Sequence, residues 1–94
     1  EIMHTPGHSS GSICVLLQGP EGLTAVFSGD TLFAGAVGRT DLPGGDAMKQ
    51  SKSFKKMMKR FNQPDLRKLP IYPGHGPATI WSREMDHNPY LKMH

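Results

Sequence analysis

Cysteine is almost absent. Cys14 is the only one in 94 residues, so no disulfide can form within the chain, and a reducing compartment, the cytoplasm, is the simple expectation. No apolar run approaches the length that crosses a bilayer, and no stretch has the layout of a signal peptide, so no membrane association is expected. Repeats and low-complexity tracts are missing too. Charge of one sign is not spread along the chain: the net +3 is concentrated in one lysine-rich segment, so it points only weakly to nucleic acid or acidic partners, and no nucleic-acid partner is expected.

What is present reads as globular. Hydrophobic residues make up 36% and charged residues 20%, ordinary for a folded domain. A chain of this size buries a modest core and is marginal alone. Eleven Gly and eight Pro gather around histidines and aspartates between apolar segments, as in loops shaped to hold chemistry. Residues 12–18 (SICVLLQ) and 23–28 (LTAVFS) read as a β-hairpin closed by the four-residue turn Gly-Pro-Glu-Gly at 19–22. A long loop follows from Thr31 to Asp46.

Asp46 reads as the N-cap of a helix over 47–61. At helical spacing Ala47, Phe54, Met57, Met58 and Phe61 share one face, and six basic residues from Lys49 to Arg60 occupy the other. A solvated basic face is the plain reading. A docking surface for acidic partners or membrane lipids is the sharper one. Residues 69–72 (LPIY) predict a short strand. Thr79 is a cap for a closing helix that Asn88-Pro89 ends.

Pro-Gly-His occurs twice, at 6–8 and 73–75, and Ser-Gly-Asp stands at 28–30. His8, Asp30 and His75 are each expected where a strand passes into a glycine-containing loop. Two imidazoles and a carboxylate suit zinc, iron or manganese, provided that they converge.

The segments HTPGHSSGS, FSGDTLF…GRTDLPGGD and YPGHGPATI…NPYL resemble the second half of the metallo-β-lactamase fold, in the right order over nearly the whole chain. Glu84 and Asn88 to Leu91, with GRTDLPGGD, align it with the branch of glyoxalase II (hydroxyacylglutathione hydrolase) rather than with true β-lactamases. The resemblance implies an α/β (α+β) chain: the C-terminal half of an αββα sandwich, mostly antiparallel strands with about two helices, over residues 1–94. It implies that His8 completes one metal site, His75 belongs to the second, and Asp30 bridges the two. His4 falls at a variable position and is expected to be structural; His87 and His94 match no ligand position. Arg39 lies where glyoxalase II has a basic residue that holds glutathione, but Asp41 stands where that enzyme has a tyrosine.

The family motif His-x-His-x-Asp-His, which supplies the other four ligands, does not occur here. The expectation is therefore a fragment of a thioester hydrolase, inactive alone and holding one metal or none. The intact enzyme would carry two, zinc above all with iron or manganese as alternatives, and would attack a small-molecule thioester through a metal-bridged hydroxide. Ser9, Ser10 and Thr31 are nearby hydroxyls without an assigned role. Cys14 is expected to be buried and inert. With half of the sandwich absent, a sheet face should lie bare, and self-association or pairing with the missing N-terminal half is expected. The alternatives are an iron-dependent persulfide dioxygenase of the same superfamily and a non-enzymatic binding module that uses the basic helix.

Overall fold

The computed structural model describes residues 1–92. Three apolar stretches near the N-terminus form β1 (Ile2–His4), β2 (Ile13–Gly19) and β3 (Gly22–Gly29), all joined as antiparallel neighbours. The hairpin is tighter than the sequence implies: Gly19 pairs with Gly22, so only Pro20 and Glu21 turn the chain. Two short strands, β4 (Leu32–Phe33) and β5 (Ala36–Val37), pair within the long loop. Then come α1 (Ala47–Phe61), a 3-10 turn (Pro64–Leu66), β6 (Pro70–Pro73), β7 (Thr79–Ile80), α2 (Trp81–His87) and α3 (Pro89–Lys92).

The main sheet runs β1-β2-β3-β6-β7, and only the β3–β6 pair is parallel. This topology places the site. Because β1 and β3 both run opposite to β2, and β6 runs with β3, the exits of β1, β3 and β6 all lie at one edge of the sheet.

Period-two alternation divides the sheet into two faces. Met3, Cys14, Leu16, Val26 and Ile71 point inward and are buried against Phe54, Met57 and Phe61 of α1. Trp81 closes this core edge-to-face on Phe61, with centroids 5.2 Å apart. On the other face Ile2, Val15, Phe27 and Tyr72 stand in register across four strands, each at least 40% exposed. Phe27 and Tyr72 stack at 5.4 Å. An apolar row of this kind is what a sheet shows to a second layer.

Asp46 caps α1 as expected, its Oδ1 accepting from the Lys49 N–H at 3.0 Å. Two details of that helix differ from the sequence reading. Ala47 is exposed in the first turn, and Ser53 is buried on the core side, where its hydroxyl donates to the Pro6 carbonyl at 2.7 Å. A short polar residue is accepted there because its hydrogen bond is satisfied. Thr79 is not a cap: Ile80 holds that position and Thr79 lies in β7. Asn88 ends α2, and Pro89, which needs no N–H partner at a helix start, opens α3.

Candidate metal centre

β1 stops at His4, not at His8 as the sequence suggested. Thr5 still bonds across to Ser12, 2.9 Å from N to O, but Pro6 has no N–H with which to continue. His8 therefore sits in the loop that follows, held by close packing. At Gly7 a Cβ would lie 2.4 Å from the Cβ of Gln50, and the Asp46 N–H donates to the Gly7 carbonyl at 2.7 Å. Asp30 comes directly after β3, and His75 lies two residues beyond β6. The Gly74 N–H donates to the Gly29 carbonyl at 2.8 Å and so ties those two exits together.

The three expected ligands converge as two pairs that share one carboxylate. Asp30 Oδ2 lies 3.6 Å from His8 Nε2, while His75 Nδ1 donates to Asp30 Oδ1 at 2.9 Å. His8 Nδ1 donates to the Arg39 carbonyl at 2.9 Å. A carbonyl only accepts, so Nδ1 carries a proton, and Nε2 is the ring nitrogen turned toward Asp30. Two glycines let the backbone close around Asp30. A Cβ at Gly38 would lie 1.9 Å from the Asp30 carbonyl oxygen, and one at Gly74 would lie 3.1 Å from Asp30 Oδ1. Phe33 meets His75 edge-on, centroids 6.3 Å apart.

By residue type these groups fit a transition metal: two imidazoles with a carboxylate between them. The count per site falls short. Each half offers one imidazole and one carboxylate oxygen, against the four or so donors that an ion needs. Among the described residues no three His, Cys, Asp or Glu side chains gather around one point. The arrangement is that of a bridge with both ends open.

Several residues that shape this site carry no sequence signal of their own. Gln50 Nε2 donates to the Gly38 carbonyl at 2.6 Å. Glu84, 1% exposed, accepts from the Gly35 N–H and Asn88 Nδ2, both at 2.9 Å, and from Thr79 Oγ1 at 2.7 Å. Asn88 Nδ2 also reaches the Ala36 carbonyl at 3.1 Å. Glu84 and Asn88 were visible in the sequence only through the resemblance; here they clamp the β4–β5 hairpin that leads into Gly38 and Arg39. Of the unassigned hydroxyls, Thr31 bonds Thr5 at 3.1 Å beneath the site, while Ser9 bonds Ser12 within its own loop.

Arg39 contributes its backbone to the site, not its side chain. The guanidinium is bound by Asp41 through two parallel contacts of 2.7 Å. That fork holds the Asp41 carboxyl at about 2, well below its usual range, and raises Arg39. His4 Nε2 donates to the Ser10 carbonyl at 2.9 Å and stands apart from the metal-type residues. Cys14 is fully buried, and its thiol is pushed up chiefly by desolvation. His94 lies outside the described residues.

Known proteins share this fold and much of this sequence. The chain is 41% identical over 76 residues to the probable metallo-hydrolase MJ0888 of Methanocaldococcus jannaschii, covering 81% of this chain and 34% of that one. It superimposes on the B3 metallo-beta-lactamase BLEG-1 with a TM-score of 0.80 at 43% identity, over 97% of this chain and 40% of that one. TTHA1623, solved in a di-iron-bound form, gives 0.78 at 41% identity, over 96% and 41%. The chain thus spans about a third of the length of that curated relative and two-fifths of those structures. The profile of the Metallo-beta-lactamase superfamily matches residues 1–75, and with the fold and the bridged histidine pairs already described, the chain belongs to that superfamily.

Proposed function

We propose that this chain is the metal-bridging part of a thioester hydrolase of glyoxalase II type and that it acts only together with the remainder of a longer protein. The observation that carries the reading is Asp30, whose two oxygens face different histidines. A carboxylate so placed joins two metal sites.

Two separate shortfalls support the need for more chain. The donor count is too low at both ends of the bridge, and the apolar row Ile2, Val15, Phe27 and Tyr72 has no layer over it. A second sheet laid on that row would pack about 10 Å away, and its loops would reach the edge where His8, Asp30 and His75 lie.

A bound metal pair supplies Lewis acidity and a water acidic enough to serve as nucleophile near neutral pH. The protein's own share is positional. Asp30 sets the spacing of the two halves, and the Arg39 carbonyl holds His8 in the tautomer that ligates. The Arg39 fork is taken by Asp41, so an anionic end of the substrate must displace a carboxylate to use it. A substrate without a carboxylate at that point, or a carrier thiol other than glutathione, fits better.

Elemental analysis and turnover test the proposal. The 94-residue chain alone is expected to purify with substoichiometric metal. The longer protein is expected to hold two ions (zinc, iron or manganese) and to hydrolyse thioesters, with Asp30→Ala lowering turnover more than a hundredfold. β-Lactam hydrolysis without thioester hydrolysis would overturn the substrate class. Oxygen uptake on glutathione persulfide with a single iron would replace hydrolysis by oxidation.

A further inference from the structure

Helix α1 carries a second feature, remote from the bridged histidines. Lys49, Lys52, Lys56 and Lys59 follow one another at spacings of three and four, so they form one stripe. The helix contains no acidic residue, and among the described residues no ion pair reaches Lys49, Lys52 or Lys59. Lys49 stands in the first turn, at the positive end of the helix dipole, where a cation is unfavourable. Like charges at these spacings repel. Among the described residues no acidic partner offsets that repulsion at Lys49, Lys52 or Lys59.

The stripe is exposed, on a shallow and largely open surface. It borders two grooves that meet at His4 and Lys56. Lys49, Lys52 and Pro6 line the first; Ile2, Met3 and Lys59 line the second. The opposite wall is β1, which is the outermost strand of the sheet among the described residues. The Lys56 ammonium already reaches across to the His4 carbonyl and marks the floor between the two grooves.

We infer that this groove binds an extended acidic peptide segment of a partner protein, with its carboxylates along the lysine stripe and an apolar side chain against Pro6. Lys49 to Lys59 span about 15 Å at 1.5 Å per residue, which about five residues of extended chain would match. A bilayer fits poorly: the apolar side of α1, Phe54, Met57 and Phe61, is buried in the core and unavailable for insertion. Single-stranded nucleic acid fits poorly as well, since no Phe, Tyr or Trp lines either groove and His4 is the one ring there on which a base could stack. The inference stands whatever reaction the histidine edge performs.

The test uses a fluorescein-labelled peptide of three Glu-Glu-Leu repeats, titrated with the full chain at low and physiological salt. Saturable binding is expected, weakening as salt rises. The variant carrying Lys49→Gln, Lys52→Gln and Lys59→Gln is expected to lose at least tenfold in affinity while its circular dichroism stays unchanged, because all three side chains are exposed. Binding of a Gln-Gln-Leu control at equal strength, or no loss in the triple variant, would overturn the inference. So would tighter binding of phosphatidylserine vesicles or polyuridylate than of the acidic peptide.

Discussion

The two Pro-Gly-His turns share a motif and differ in almost everything else. His8 is 28% exposed, bonded through Nδ1 to a backbone carbonyl, and carried on a loop wedged against α1 at Gly7. His75 is 79% exposed; its partner is the shared carboxylate itself, and Gly76 beyond it stands in open space. On the His8 side of the bridge the imidazole is held in place by residues of this chain, although the donor count is short there too. The other half has its shape and lacks its surroundings. Identical short motifs therefore do not make equivalent sites: what surrounds the turn decides how firmly the imidazole is aimed.

The largest effect should come from the firm side. Gly38→Ala puts a methyl group 1.9 Å from the Asp30 carbonyl oxygen and 3.1 Å from the His8 Cβ, and neither neighbour is a flexible chain end. A loss of about 3 kcal/mol in urea unfolding is expected; a change below about 1 kcal/mol would mean that the His8 loop is not packed as described. The loose side should respond less. Gly76→Ala meets no atom but places a side chain at φ +80°, which should cost about 1 kcal/mol. An equal or larger loss there would erase the contrast between the turns.

The smallest effect belongs to the exposed Arg39–Asp41 fork beside the His8 half. The Asp41 carboxyl is lowered to about 2 by Arg39. A depressed acid stabilises the fold above its ordinary value near 3.8 and loses that contribution as pH falls through about 2. The stability difference between the native chain and Asp41→Asn should accordingly be flat from neutral pH to about 4 and shrink below it, as followed by urea midpoints at each pH. A difference that grows on acidification would show that Asp41 does not act through this pair.

Much of the site was legible before the structure because its residues announce themselves locally. The ends of β3 and β6 follow from apolar runs stopped by Gly and Pro, and the Asp46 cap with the two-faced α1 follows from helical spacing. Other parts left no local trace. Gln50 looks like any polar residue on a helix, and the Arg39 contribution is a carbonyl that every residue possesses. Arg39 was expected to offer its side chain, and two residues of sequence were enough for Asp41 to occupy it. Gly38 opens GRTDLPGGD, but only the contact with Asp30 explains why it must be glycine.

By itself the sequence determined which side chains could be ligands, that each would stand beside a glycine turn, and where the one long helix would begin and end. These are local matters of backbone sterics and apolar period. Only the tertiary structure decided that the three candidate ligands come together, as two pairs on one carboxylate. Their meeting depends on β3 and β6 lying parallel, a pairing across more than forty residues of chain that no short-range pattern encodes. It depends equally on β1 running in the same direction two strands away. Hydrogen bonds between distant strands, formed to bury one apolar face, place His8, Asp30 and His75 along a single edge.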